Sequence, residues 1–265
     1  MNTPTPYFRE AGEGPTVICL HSNASHSGQW RGLMERLAGR MRVVAVDSYG
    51  AGRSPQWPSD RTIRLADEVE LLQPVLDAVS GPAFLVGHSY GGAVALKAAL
   101  MHPGRFAGVA LYEPTLFAPV DREAPHEVDG IREAVRQAAE ALDRGDGDAA
   151  ARCFIDFWMG EGSWQRMPAE RKPAVVHAVA DVRRWAHALF TEPASWQDLA
   201  GLRMPVLCMT GGRSPRSSLS VAAALLRTLP DARAVDFPAL GHMAPVTHPQ
   251  EVDAEIGRFL DSLAR

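Results

Sequence analysis

Cysteine is scarce in this 265-residue chain, which has three, Cys19, Cys153 and Cys208, standing far apart. Isolated thiols build neither a disulfide framework nor a cysteine-rich metal site. Cys19 and Cys208 fall inside apolar runs, as suits buried, reduced side chains. The sequence has no histidines spaced four apart on a helix, so zinc finds no ligand set, although His21 and His26 share one loop. No metal and no cofactor is expected. Basic excess is missing too, and a net charge of −4 leaves no electrostatic footprint for nucleic acid or an anionic membrane surface. No stretch approaches the length of a membrane span, and Met1-Asn2-Thr3-Pro4-Thr5-Pro6 has no signal-like apolar core. A cytoplasmic protein is expected. Repeats and low-complexity tracts are likewise absent. A hydrophobic share of 46% and a charged share of 22% are those of an ordinary globular chain, long enough to bury a large core.

Short apolar runs recur along it, at Thr16–Leu20, Arg42–Val46, Ala83–Val86, Phe106–Tyr112, Val206–Thr210 and Arg233–Phe237. Helical periodicity fills the intervals at Trp30–Arg40, Thr62–Val79, Gly92–His102 and Ser218–Leu229, and closes the chain at Glu251–Leu263. Strand alternating with helix predicts an α/β fold, a mostly parallel sheet with helices on both faces. The alternation breaks after Glu113. Residues 114–202 carry helical patterns at Val128–Asp143, Asp148–Trp158 and Glu170–Phe190, with no good strand candidate. They are read as a helical cap inserted into a core formed by residues 1–113 and 203–265. The aromatic side chains of the cap, Phe154, Phe157, Trp158, Trp164, Trp185 and Phe190, are read as ordinary core rather than pocket lining.

In parallel sheets ligands bind beyond the carboxyl ends of the strands, and those ends carry the reactive residue types here. Phe84-Leu85-Val86-Gly87-His88-Ser89-Tyr90-Gly91-Gly92 is a strand turning through G-x-S-x-G into a helix. That turn raises a serine hydroxyl above the sheet edge and needs residues without Cβ atoms beside it. It nominates Ser89 as a nucleophile, with the Tyr90 backbone N–H at the helix start as an oxyanion donor. A serine hydroxyl is weak until a base takes its proton. His242, in Gly241-His242-Met243-Ala244-Pro245 after a strand-like run, is the predicted base, while His248 lies nearer the next helix. The base in turn needs a carboxylate to hold its tautomer. Gly211-Gly212-Arg213-Ser214-Pro215, after the run Val206–Thr210, offers none. Glu113, at the end of the preceding run and followed by Pro114, is therefore the predicted acid. The second oxyanion donor is placed at the Asn23 backbone N–H, in the loop Leu20-His21-Ser22-Asn23. His21 is read as a structural hydrogen-bonding residue, and Arg53 as a structural ion-pair partner.

Taken together, L-H-S-N, D-S-Y-G-A-G-R-S, G-H-S-Y-G-G and G-H-M-A-P-V-T-H-P resemble the motifs of the α/β-hydrolase family, in its order of serine, acid, histidine. The resemblance covers nearly the whole chain outside the cap. Many members place an aspartate where Arg213 and Ser214 stand here, and the position of Glu113 is similar to that of the acid in haloalkane dehalogenases. Those enzymes use an aspartate nucleophile and a tryptophan where this chain has Ser89 and Tyr90, so dehalogenation is not expected. The resemblance implies a serine hydrolase acting on a small carboxylic ester through an acyl-enzyme. Two alternatives stay open at this point, a carbon–carbon bond hydrolase for a diketone-type substrate and a non-catalytic ligand-binding protein of the same fold. In each case the partner is a small molecule.

Overall fold

A computed structural model describes residues 4–264. Met1–Thr3, the start of the stretch inspected for a signal core, lie outside the described residues. Strands β1 (Phe8–Ala11), β2 (Thr16–Leu20), β3 (Arg42–Val46), β4 (Ala83–His88), β5 (Phe106–Tyr112), β6 (Val206–Gly211) and β7 (Ala232–Phe237) form one seven-stranded sheet. Their order is β1-β3-β2-β4-β5-β6-β7, with β1 antiparallel to β3 and every other pairing parallel. The inner strands read as unbroken apolar runs because both sides of the sheet are covered.

The alternation of side chains along each strand divides the core in two. Ile18, Leu20, Val44, Leu85, Val109 and Leu111 point to the face covered by the helices at Leu65–Leu71, Tyr90–Met101 and Arg216–Thr228. Val17, Cys19, Val43, Phe84, Val86 and Ala110 point to the other, under Arg31–Leu37 and Pro249–Leu263. Full burial of each larger aliphatic side chain contributes roughly 1.5–3 kcal/mol.

The elements differ from the expectations in places with physical causes. β1 was not anticipated: Phe8-Arg9-Glu10-Ala11 is a short edge strand with alternating half-exposed residues. The pattern at Thr62–Val79 resolves into Leu65–Leu71 and Gln73–Asp77, the second carrying Pro74 in its first turn, where its missing N–H is harmless. Trp30–Arg40 becomes a 3-10 turn, Ser27–Trp30, followed by a helix that stops at Leu37. Between β5 and β6 the chain is helical, the longest pieces being Asp129–Asp143, Gly147–Met159, Lys172–Val179 and Val182–Phe190. No helix among the described residues is long and apolar enough to cross a membrane.

Candidate active site

β4 and β5 are neighbours, and their carboxyl ends carry Ser89 and Glu113 side by side. The Ser89 N–H donates to the Tyr112 carbonyl at 3.0 Å, and the Glu113 N–H donates to the Met209 carbonyl of β6 at 3.0 Å. Both residues have positive φ, +54° at Ser89 and +42° at Glu113. The turn at Ser89 is sharp because strand and helix touch: a Cβ on Gly87 would sit 2.6 Å from the Gly91 carbonyl oxygen and 2.6 Å from the Gly92 Cα. Only a residue without a side chain allows that approach.

His242 arrives on the loop between β7 and the helix Pro249–Leu263. Its Nε2 lies 2.9 Å from the Ser89 Oγ, and its Nδ1 lies 2.6 Å from the Glu113 Oε2. All three residues are buried, Glu113 completely. The carboxylate fixes the tautomer: Nδ1–H donates to Glu113, which leaves the Nε2 lone pair for the serine hydroxyl. Glu113 is held in turn by the Gly211 N–H at 2.6 Å and the Ser218 hydroxyl at 2.9 Å. The last residue of β6 and the helix Arg216–Thr228, on either side of a turn that lacks a carboxylate, thus supply the donors that hold the carboxylate of the neighbouring strand. His248 is exposed and bonded locally to Thr247, away from this group.

Tyr90 is the first residue of the helix Tyr90–Met101, so its N–H has no acceptor within the helix. Asn23 lines the same cavity as Ser89 and His242. His21 behaves as a structural residue: its Nδ1 lies 2.7 Å from the Ser22 carbonyl, and its Nε2 accepts the Ser48 N–H at 3.0 Å. Arg53 departs from the expected ion pair. Its guanidinium lies over the Tyr7 ring, 4.4 Å from the centroid, while its N–H donates to Asp47.

Two further contacts on this group were not read from the sequence. Gln29 accepts from the Ser22 N–H at 3.2 Å and from its hydroxyl at 3.1 Å, and its amide nitrogen lies 3.1 Å from the His88 Nδ1. The His88 Nε2 lies 2.8 Å from the carbonyl of His242. Burial, helped by the neighbouring His242, holds the His88 imidazole well below its usual pKa, so it is neutral. One bridge of side chains therefore joins the Ser22–Asn23 loop to the backbone of His242. The second contact is Trp158, whose ring is stacked on the His242 imidazole with centroids 4.0 Å apart and planes at 25°.

The cavity beside Ser89 is narrow, about 40 Å³, and mostly apolar. Phe154, Trp158, Trp185 and Phe190 line it, which corrects their reading as mere core; Trp164 is fully buried away from it. Aromatic residues on amphipathic helices look the same in sequence whether they face a core or a cavity. A larger, more polar cavity of about 350 Å³ adjoins it, sharing Asn23 and Trp185. No cluster of metal-binding side chains occurs among the described residues.

The alpha/beta hydrolase fold family matches residues 15–249, a span that holds Ser89, Glu113 and His242. The chain belongs to the α/β-hydrolase family. It is an enzyme of the hydrolase class. It is 28% identical over 260 residues to a pimeloyl-(acyl-carrier protein) methyl ester esterase of Chromobacterium violaceum, covering 97% of this chain and 99% of that one. An N-formylmaleamate deformylase of Pseudomonas putida is 26% identical over 262 residues, covering 96% and 92%. Among solved structures, an esterase from a Rhodococcus species superposes with a TM-score of 0.77 at 25% identity, covering 97% and 94%.

Proposed function

We propose that this α/β-hydrolase is a serine hydrolase that cleaves small carboxylic esters, with Ser89 as nucleophile, His242 as general base and acid, and Glu113 as the orienting carboxylate. The observation that carries the reading is the continuous hydrogen-bonded line from Ser89 Oγ through both ring nitrogens of His242 to Glu113. In this mechanism the Ser89 Oγ bonds to the ester carbonyl carbon as its proton passes to Nε2. The resulting oxyanion is held by the N–H groups of Tyr90 and Asn23, each worth about 2.7–4 kcal/mol in comparable sites. His242 returns the proton to the departing alcohol, then draws a proton from the water that attacks the acyl-serine, and passes it to the Ser89 Oγ as the bond to the acyl carbon breaks and the carboxylic acid leaves.

The imidazolium formed between these steps faces both the Glu113 carboxylate and the Trp158 ring, a cation–π contact worth about 0.5–2 kcal/mol. Residues 114–202 serve as the cap, with 1–113 and 203–265 as the core. The narrow apolar cavity suits a small acyl group. Relatives named for cleaving a methyl ester and for deformylation are consistent with this chemistry.

The test is hydrolysis of p-nitrophenyl acetate and butyrate, together with labelling by a fluorophosphonate probe. The native protein should cleave both esters and take up the probe at Ser89, and Ser89→Ala should do neither. Absence of both in the native protein would reject the serine-esterase mechanism at Ser89.

A further inference from the structure

His88 and Tyr112, the residues just before Ser89 and Glu113, form a second pair. They are partners in the register of β4 and β5, on the sheet face that also carries Val86 and Ala110. Both are completely buried, and their rings meet edge to face with centroids 5.7 Å apart. Each donates to one of two consecutive carbonyls in the loop that carries the base. The Tyr112 hydroxyl reaches the Gly241 carbonyl at 2.9 Å, and the His88 Nε2 reaches the His242 carbonyl at 2.8 Å. The Gly241 carbonyl also takes the Ala244 N–H at 3.0 Å. Close packing does not hold Gly241 on its Cβ side, where an added Cβ would have no neighbour nearer than 3.8 Å.

The direction of these bonds is set by their partners. A carbonyl only accepts, so the proton of the neutral His88 ring lies on Nε2 and Nδ1 keeps a lone pair. The Gln29 amide nitrogen, 3.1 Å away, donates to that lone pair, while the Gln29 oxygen takes the Ser22 N–H and hydroxyl. A second proton on His88 would point an N–H at the Gln29 amide nitrogen, and burial opposes it as well. Burial, and then the charge of Glu113, push the Tyr112 pKa upward, so its hydroxyl keeps the proton it donates. Both groups are thus neutral donors beside an imidazole that becomes charged during the reaction.

We propose that His88 and Tyr112 are positioning residues for His242, holding the backbone of the base so that its Nε2 stays in line with the Ser89 hydroxyl, and that Gln29 keeps His88 in the tautomer this requires. This rests on the serine-hydrolase reading. Neither His88 nor Tyr112 lines the cavity beside Ser89, so neither meets the ester there.

The test counts active sites before it measures rate. Labelling with a fluorophosphonate to completion gives the number of competent Ser89 hydroxyls, and hydrolysis of p-nitrophenyl butyrate is expressed per labelled site. Tyr112→Phe removes one oxygen and keeps the ring, and kcat per site should fall by about tenfold. In His88→Leu it should fall by about a hundredfold. His88→Gln keeps an N–H that can donate to the His242 carbonyl and should recover about tenfold of that loss. KM should stay near the native value, because His242 serves acylation and deacylation alike. The labelling rate should fall in step with kcat, while the final stoichiometry stays native.

A role in folding alone gives the reverse, fewer labelled sites that each turn over at the native rate. That pattern, or equal losses in His88→Leu and His88→Gln, overturns the proposal and leaves the hydrolase reading intact. If the His88 variants do not fold, Tyr112→Phe decides by itself, and native kcat per site in it overturns the proposal. If the native protein neither cleaves butyrate nor takes up the probe, the hydrolase reading fails, and the positioning role fails with it.

Discussion

At Ser89 and Glu113 the backbone adopts a conformation that costs a residue with a side chain on the order of 1–3 kcal/mol. At Glu113 the strained backbone accompanies a carboxylate with both oxygens in use, one oxygen taking the Gly211 N–H and the other the Ser218 hydroxyl and the His242 ring. Replacing Glu113 by Gln keeps the shape but removes the charge and lets the amide favour the wrong imidazole tautomer. Turnover in Glu113→Gln should fall by about 10⁴-fold. A thermal midpoint close to the native value would show that the loss is not one of folding. Ser218→Ala removes one hydrogen bond to the carboxylate and leaves the Gly211 N–H, so kcat should fall by about tenfold, well short of the Gln variant. Equal losses in the two variants would speak against this division of roles. Glu113 could be nominated from sequence because a carboxylate at a strand end, fixed by Pro114, is a local feature. Gln29, His88 and Ser218 could not, because their partners are brought to them by strand order and loop packing.

The elbow is where an element boundary sets the chemistry. A methyl group at position 87 would meet the backbone of Gly91 and Gly92 in the facing helix, which cannot yield as a flexible side chain would. Gly87→Ala should therefore lower unfolding free energy by about 1–3 kcal/mol or more, read from urea titration, and depress ester hydrolysis by moving Ser89 away from His242. An unchanged urea midpoint would refute the close approach. The β4 turn and the apolar runs of the inner strands were legible because burial on both faces leaves no polar interruptions. The first strand was not, since an edge position lets the adjacent charged pair Arg9 and Glu10 interrupt a run of only four residues, which leaves neither an apolar run nor a clean alternation. The helical region after β5 was recognisable as helical, but which aromatic faces turn toward the cavity depends on how those helices pack on one another.

Across the whole molecule, buried acids link stability to pH. Burial pushes the Glu68 carboxyl up to about 7, although the Tyr49 N–H and the Tyr90 hydroxyl both donate to it and pull the other way. Burial likewise raises Asp253 to about 7. In an unfolded chain these groups titrate near 4, so between about pH 4 and 7 the folded state binds more protons. The stability they confer is full below the unfolded pKa and is lost as pH rises through about 7. Unfolding free energy should thus decline from pH 5 to pH 8. Glu68→Gln, whose amide oxygen can take the Tyr49 N–H while its NH2 donates to the Tyr90 oxygen, should remove about 3 kcal/mol or less of that decline, measured by urea unfolding at both pH values. A decline of the same size in the variant would exclude Glu68 as its source.

The stacking of Trp158 on His242 bears on how such enzymes diversify. Ser89, Glu113 and His242 all stand at the sheet's edge, whereas Trp158 comes from the helix Gly147–Met159 between β5 and β6. The proposed cap is therefore not a freely exchangeable cassette. A graft taken from another family member would bring new substrate preferences, yet it would also have to deliver an aromatic plane to the imidazole, or trade turnover for its new taste.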